Sequence, residues 1–184
     1  MTIKFKLKKN AKKIDRFLLK FLKKQKKSLL IAPMKYGVIS GGKKIRSTII
    51  FDTGKMLNVK EKKILSVSTA VECIHSYSLI HDDLPCMDND LIRRGKPSTH
   101  KKFGEATAVL AGNSLLTLAF EIISDKRNFL PSKHKIEIIN LLSHCSGHTG
   151  IAGGQELDLK FENKKKNFNE IIDMQRKKTG RLFN

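Results

Sequence analysis

Residues 64 to 82 carry an apolar stripe that repeats at steps of three and four, and this spacing constrains the fold more than any other feature of the chain. The stripe consists of Ile64, Val67, Val71, Ile74 and Ser78, and its next step is Asp82. Residues at this spacing share one face of an α-helix. The sequence therefore predicts a core-facing helix whose buried face ends in a carboxylate.

Helical periodicity recurs along the chain, and no run of residues alternates with the period of two that is typical of strands. Further helices are predicted at about residues 10–28, 43–57, 106–124, 132–147 and 169–178. The helix at 106–124 is apolar nearly all round, as expected for one buried among others. Breaks are expected at Pro33, at 37–42, in a polar loop over 88–104 and at Gly153-Gly154. The fold class is all-α.

The chain is strongly basic, with 37 Lys and Arg against 17 Asp and Glu and a formal charge of +20. Such a charge favours an anionic partner: nucleic acid, an anionic membrane or a phosphorylated ligand. A nucleic-acid-binding module should interleave aromatic residues with its cations. With no Trp and two Tyr, that signature is absent, so no nucleic acid is expected. The lysine-rich face of the first helix is interpreted as solvated rather than membrane-bound.

The remaining composition favours a cytoplasmic protein. Cys73, Cys86 and Cys145 lie far apart without CxxC spacing, so neither disulfides nor a cysteine zinc site is indicated. No uncharged apolar run approaches the length of about 20 residues that spans a bilayer, so no transmembrane segment is expected.

Three carboxylates cluster just after the predicted central helix, at Asp82, Asp83 and Asp88. Pro85 lies between them and should end or kink the helix, which would bring Asp88 back toward Asp82. Mg²⁺ prefers a few carboxylates together with substrate phosphates over a full protein cage. The cluster thus predicts a magnesium site with open positions.

Residues suited to phosphate surround these acids. Arg93 and Arg94 follow them, and guanidinium groups match phosphate oxygens in bidentate fashion. Gly41-Gly42 precedes Lys43 and Arg46 at a predicted helix start, where backbone amides and cations can hold a second anion. His75 lies two turns before Asp82 and could donate to a phosphate oxygen. Two phosphate sites are predicted.

Three other patterns explain the residues less well. Residues 37–44 nearly match a P-loop, but Lys44 stands where Ser or Thr should hold magnesium. His81-Asp82 with His75 is typical of HD-type phosphohydrolases, which would leave the glycine-lysine and arginine segments unexplained. His144 and His148 have the spacing of a metal pair without a third ligand, so we expect them to pack between helices.

The ordered segments resemble the trans-isoprenyl diphosphate synthase (polyprenyl synthetase) family, and within it the bacterial farnesyl diphosphate synthases. The segments are Gly41-Gly42-Lys43-Lys44-Ile45-Arg46, residues 72–88, Arg93-Arg94-Gly95, residues 100–106, Gly153-Gly154-Gln155-Glu156-Leu157-Asp158 and Lys178-Thr179-Gly180. The resemblance covers about residue 12 to the end. It implies a helical bundle around a central cavity, formed here as one incomplete domain over 1–184 with its substrate region at 37–180, and a homodimer.

The resemblance also implies the reaction and the residues that carry it out. A prenyltransferase of this family condenses isopentenyl diphosphate with an allylic diphosphate, using Mg²⁺, to give a short product. The implied metal ligands are Asp82, Asp83 and Asp88, and the implied residues at the allylic diphosphate are Arg93, Lys178 and Thr179. The implied site for isopentenyl diphosphate consists of Lys43, Arg46, His75 and Arg94. Gln155 and Asp158 would line the deeper cavity, and Tyr77 would limit the product, favouring fifteen carbons.

The chain departs from that family in length. Members are typically about half as long again and carry a second aspartate-rich motif, which is not found here. Arg181 and Asn113 also stand where the family usually has a small residue and Asp. We therefore expect little or no condensing activity from the 184-residue chain alone. An inactive remnant or a non-catalytic partner of an intact synthase is the alternative.

Overall fold

The computed structural model describes residues 2–39 and 41–183; Ser40, within the glycine-rich stretch 37–44, lies outside them. The described residues confirm the all-α prediction. The helices are α1 (Ile3–Leu22), α2 (Ile31–Ile39), α3 (Ile45–Met56), α4 (Glu61–Asp82), α5 (Thr99–Phe103), α6 (Glu105–Ser124), α7 (Ser132–Ser146), α8 (Ile151–Phe161) and α9 (Phe168–Lys178). A 3₁₀ turn at Gly180–Leu182 and two short strands, β1 (Ile92–Arg93) and β2 (Lys96–Pro97), complete the elements.

The chain forms two compact units, one running to Leu130 and the other beginning at Pro131. The prediction of a single domain over residues 1–184 stays a prediction.

The long helix α4 is the centre of the first unit and packs against α6, α3 and α1. Its predicted apolar stripe is buried except at Val67, which is partly buried, and Ile74 is fully enclosed. Ile14 of α1, Phe51 of α3 and Ile64 of α4 form a core cluster that joins the three helices. Burying this face fixes the direction of α4, and therefore where its acidic end lies.

Two predicted boundaries in the first unit are wrong. The first helix runs from Ile3 to Leu22 rather than over 10–28. The Thr2 hydroxyl caps its start, and residues 23–28 contain no apolar side chain that could continue the buried stripe. The helix is not broken at Pro33, because Pro33 lies inside α2. Pro33 lies in its first turn, where a missing N–H has no helical partner to lose.

The loop predicted over 88–104 also contains regular structure. Strands β1 and β2 pair antiparallel, with Ile92 opposite Pro97 and Arg93 opposite Lys96. The short helix α5 follows, and its first residues, Thr99 and His100, are buried. Strands of two residues are too short to show an alternating pattern in the sequence.

Helix α6 is less enclosed than predicted, because Val109 and Leu110 are 39% and 52% exposed. Its length and composition would let it cross a membrane, and 44% of its most apolar 18-residue stretch is buried within the protein. The opposite face, including Ala108, Leu115 and Ile122, is fully or almost fully buried in the first unit. That burial is typical of a core helix.

The second unit consists of α7, α8, α9 and the 3₁₀ turn, with α8 packed on α9. The break predicted at Gly153-Gly154 is wrong, because both glycines lie within α8. A Cβ on Gly154 would lie 2.1 Å from the backbone nitrogen of Lys178, so the glycine allows the two helices to touch. His144 and His148 are exposed, so the prediction that they pack between helices is wrong.

Candidate active site

The chain turns back immediately after Asp82, the last residue of α4. The amide of Leu84 donates to the carbonyl oxygen of His81 at 3.1 Å, and the amide of Asp88 donates to that of Asp82 at 2.9 Å. Asp82 is partly buried and Asp88 is exposed. The predicted end of the helix near Pro85 and the return of Asp88 toward Asp82 are both confirmed.

Asp83 is 2% exposed and faces Arg93. Its Oδ1 accepts hydrogen bonds from Nε of Arg93 at 2.8 Å and from Nη2 of the same guanidinium. The Nη2 atom also donates to Oδ2 of Asp90 at 2.8 Å. Burial raises the pKa of Asp83, and the bond from Arg93 opposes that rise. Asp83 therefore orients Arg93, and its role as a metal ligand stays a prediction.

Arg46, His75 and Arg94 form a cationic cluster beside α4. Nη1 of Arg46 lies 3.4 Å from Nε2 of His75. Because a guanidinium only donates, Nε2 must accept and the ring proton lies on Nδ1. Burial lowers the pKa of His75 to about 3, and the charges of Arg46, Arg94, Lys44 and Arg93 add to this effect. His75 is thus a neutral donor among cations.

A tight turn holds Arg94 in this cluster. Arg94 and Gly95 join β1 to β2 and have φ angles of 55° and 75°, as in the two-residue hairpins that match strand twist. A positive φ is uncommon for a residue other than glycine and costs free energy. Nη1 of Arg94 donates to the carbonyl oxygen of Gly41 at 2.6 Å, which ties the hairpin to the glycine loop.

The glycine loop before α3 is shaped by three left-handed residues. Gly41, Gly42 and Lys44 have φ angles of 102°, 96° and 46°. A Cβ on Gly42 would lie 2.6 Å from Cζ of Arg94, whereas one on Gly41 would meet nothing within 4 Å. Gly42 is therefore required for contact with the guanidinium. Lys43 is exposed on the same loop.

Lys44 is a functional candidate that the sequence analysis did not identify. Its Nζ is buried, 3.2 Å from Oδ1 of Asp15, 3.8 Å from Oε2 of Glu72 and 3.1 Å from the carbonyl oxygen of Val38. Glu72 also accepts a hydrogen bond from the Ser47 hydroxyl. The network links α1, α3 and α4 beneath the cationic cluster. Two adjacent lysines give no sequence signal of which one is buried.

The turn formed by residues 82–88 is called the acidic turn. Tyr77 lies on α4, five residues before this turn begins, and is 8% exposed. Its ring meets the His81 ring edge-on, with centroids 5.7 Å apart. Nε2 of His81 lies 3.1 Å from the carbonyl oxygen of Val109. A Cβ on Gly112 would lie 2.1 Å from the same nitrogen, so α6 needs glycine where His81 fits. Burial and the charge of Asp82 raise the pKa of Tyr77.

The other predicted site residues lie in the second unit. Nζ of Lys178 donates to Oδ2 of Asp158 at 2.5 Å. Gln155 is 5% exposed, and its two side-chain polar atoms have no hydrogen-bond partner in the part of the chain that the structure describes. Thr179 is exposed at the end of α9. The structure thus brings Lys178 and Asp158 together.

Asp82 and Asp88 can hold a hard cation. Among residues 2–39 and 41–183, no three His, Cys, Asp or Glu side chains form a ready metal cluster. Mg²⁺ does not need one, because it keeps waters and binds one or two carboxylates together with phosphates. The hard oxygens at the acidic turn fit this mode, and Arg93 and the cationic cluster can hold the phosphates.

Comparisons with known proteins agree with this geometry. A family model described as polyprenyl synthetase matches residues 27–184. Farnesyl diphosphate synthase of Buchnera aphidicola subsp. Acyrthosiphon pisum is 48% identical over 160 residues, which cover 85% of this chain and 56% of that protein. The Escherichia coli farnesyl diphosphate synthase is 45% identical over 84% of this chain and 52% of its own length. The chain spans about half the length of these curated relatives.

Solved structures show the same similarity. The crystal structure of an FPP/GFPP synthase from Zymomonas mobilis aligns with a TM-score of 0.92 and 41% identity, over 98% of this chain and 66% of that one. A geranyltranstransferase from Thermotoga maritima aligns with a TM-score of 0.81 and 36% identity, over 96% of this chain and 64% of that one. The fold and the site motifs therefore coincide in one family.

Proposed function

Because the chain belongs to the polyprenyl synthetase family, we propose that it acts in the head-to-tail condensation of isopentenyl diphosphate with an allylic diphosphate. The observation that carries the proposal is that α4 presents His75 to the cationic cluster and ends in the acidic turn. One helix thus lies beside two places for diphosphate. The names of the relatives support farnesyl diphosphate as the product.

The cationic cluster is the proposed site for isopentenyl diphosphate. Arg46 and Arg94 supply guanidinium donors, and His75 supplies a neutral Nδ1–H. Lys43 adds an exposed cation on the adjoining glycine loop. A bound diphosphate would offset the repulsion among these groups. The site therefore favours a doubly charged head group over a neutral one.

The acidic turn is the proposed site for the allylic diphosphate. When bound between Asp82 and Asp88, Mg²⁺ supplies positive charge that stabilises the leaving diphosphate. Arg93, oriented by Asp83 and Asp90, would hold that diphosphate from the protein side.

The proposed chemistry needs positive charge around the diphosphate of the allylic substrate and dry apolar walls around its hydrocarbon chain. Breaking the allylic C–O bond leaves a diphosphate anion and a carbocation, and fixed cations stabilise the anion. The double bond of isopentenyl diphosphate then attacks the carbocation, and a proton is lost. Lys178 and Thr179 would contact the allylic substrate, while Gln155 and Asp158 would line the cavity. The side-chain amide of Gln155, which has no hydrogen-bond partner among the described residues, supports a ligand at that position.

Product length is proposed to depend on Tyr77. Its buried ring lies five residues before Asp82, so a chain growing down α4 from the acidic turn would meet it. His81 packs on that ring and is held by the close approach of α6 at Gly112. The Tyr77 ring would thus form the floor of the product cavity. A short product of about fifteen carbons is consistent with a floor so near the acidic turn.

A homodimer is proposed as the working assembly. Val109 and Leu110 leave an apolar strip exposed on α6, and a second copy could cover it. Size-exclusion chromatography with light scattering should give twice the chain mass, and a monomer at micromolar concentration would refute this assembly.

Isothermal titration calorimetry tests the proposed function directly. Isopentenyl diphosphate should bind saturably to the 184-residue chain, and Arg46→Met should weaken binding by about tenfold or more, since a charge-assisted bond contributes about 1.5–3 kcal/mol. Arg16→Met, on the exposed face of α1, is the matched control and should bind like the parent. Equal affinity for Arg46→Met and Arg16→Met would overturn the assignment of the cluster.

Turnover is measured separately. Radiolabelled isopentenyl diphosphate is incubated with dimethylallyl diphosphate and Mg²⁺, and Asp82→Asn should abolish any allylic product. Product formed at the same measurable rate by the parent and by Asp82→Asn would refute the role of the acidic turn.

A further inference from the structure

A cavity lies at the opposite end of α4 from the acidic turn. It encloses about 300 Å³ between the end of α1, the start of α4 and the segment that follows α6. Leu65 in its wall is 17 residues before Asp82, which places the two sites about 25 Å apart along the helix. The cavity therefore belongs to neither proposed diphosphate site.

The walls of this cavity are mostly apolar and aromatic. Phe17 and Phe21 of α1 face Leu65 of α4, Ile122 of α6 and Phe129 beyond it. Phe129 is 59% exposed, so its ring also borders the solvent. A half-open cavity of this size with aromatic walls and a few polar groups is typical of a ligand pocket.

The rim of the cavity is cationic. Lys20, Lys24, Lys62 and Arg127 line it, and Asp125 is the only acid among its lining residues. Asp125 is already bound by Arg127 at 2.6 Å. Within residues 2–39 and 41–183, the three lysines form no ion pair with a carboxylate. Four cations and one acid give the lining residues a net charge of +3.

Lys62 is the most informative of these cations. It lies in the first turn of α4, at the positive end of the helix dipole, where a cation is unfavourable and an anion is stabilised. Its Nζ lies 4.6 Å from the centroid of the Phe129 ring, so the ammonium is held over the cavity mouth. An anion at this position would meet the helix end and the lysines together.

We propose that this cavity binds a small amphipathic anion, with a short apolar body and a phosphate or carboxylate head. The body fills the space between Phe17, Phe21 and Leu65. The head lies at the rim beside Lys20 and Lys62. This binding goes beyond the proposed condensation and does not depend on it.

Two-dimensional NMR of the ¹⁵N-labelled chain tests the proposal, with n-octyl phosphate as the probe. Saturable shifts are expected at the amides of Leu65, Ser66 and Asn128, with smaller shifts near Arg46 and Arg94. n-Octyl glucoside carries the same tail without charge, and inorganic phosphate carries the head alone. Both should bind at least about tenfold more weakly, because each lacks one of the two complementary parts.

Two variants locate the site. The double variant Lys20→Glu/Lys62→Glu should weaken n-octyl phosphate binding by about tenfold or more, since it removes two attractions and adds two repulsions. Ser66→Leu should weaken it without a change in charge by filling the cavity. The matched control is Lys9→Glu/Lys55→Glu, which makes the same charge change on exposed positions of α1 and α3. Circular dichroism confirms that each variant is folded.

The outcomes separate clearly. Equal weakening by the control pair, shifts confined to the amides near Arg46 and Arg94, or n-octyl glucoside binding as tightly as n-octyl phosphate would each refute the proposal. Octanoate distinguishes the head groups: tighter binding of octanoate identifies a carboxylate ligand, and tighter binding of n-octyl phosphate a phosphate. Either result supports an amphipathic anion.

Discussion

Replacing Lys44 with Met should destabilise the protein far more than replacing the adjacent Lys43. Lys44 is 6% exposed and lies between Asp15 and Glu72, whereas Lys43 is exposed. Removing one partner of a buried ion pair typically costs about 3–5 kcal/mol, because the remaining charge stays buried. We expect the lower end of that range, about 3 kcal/mol, for two reasons given by the structure.

The first reason is that the Asp15 side chain is 26% exposed, so water can solvate its carboxylate after the change. The second is that Glu72 keeps its hydrogen bond from the Ser47 hydroxyl. A loss of about 3 kcal/mol corresponds to roughly 10 °C in Tm for a chain of this size. Lys43→Met should change stability by less than about 0.5 kcal/mol, as expected for an exposed position.

Urea denaturation followed by far-UV circular dichroism measures both variants. Equal stability of Lys44→Met and Lys43→Met would refute the reasoning.

Three further changes probe the site. Gly42→Ala should displace the Arg94 guanidinium and weaken isopentenyl diphosphate binding several-fold by calorimetry, while Gly41→Ala, with similar positive φ but open space, should not. NMR of the imidazole protons should show His75 neutral down to a pKa of about 3. Because this pKa lies below the unfolded value of about 6.5, His75 stabilises the native state least in acid, and His75→Gln should flatten the loss of stability as pH falls from 6.5 toward 3. Tyr77→Ala should lengthen any product seen by chromatography, and an unchanged length would remove Tyr77 as the floor.

The acidic turn was predictable because its causes are local. Pro85 must disturb the end of α4, and a helix that stops there returns Asp88 to Asp82 within a few residues. The apolar stripe of α4 was predictable for the same reason, since periodicity records the buried face directly. Pro33 was misread because a proline that starts a helix and one that ends a helix look alike without the cap geometry.

The partners of each charged group were not predictable, because they depend on contacts between distant segments. Whether Asp83 faces a metal or Arg93 depends on where the hairpin returns, and the hairpin itself is too short to leave a pattern. Gly42 and Arg94 are separated by 51 intervening residues, yet one excludes a side chain to admit the other. Residue type alone gave the chemistry of the site but not its pairings.

Glu72 acts on both guanidinium groups of the cationic cluster. Burial lowers the pKa of Arg46 and of Arg94, and the charge of Glu72 acts against that lowering in both. Glu72 therefore stabilises the guanidinium groups while it also binds Lys44, so a single buried carboxylate supports the whole cluster from below. The positive φ of Arg94 adds a local free-energy cost, which the contacts around Arg94 offset. An anion bound above would relieve the repulsion that the fold maintains, so ligand binding and stability must rise together, in proportion to the logarithm of ligand concentration.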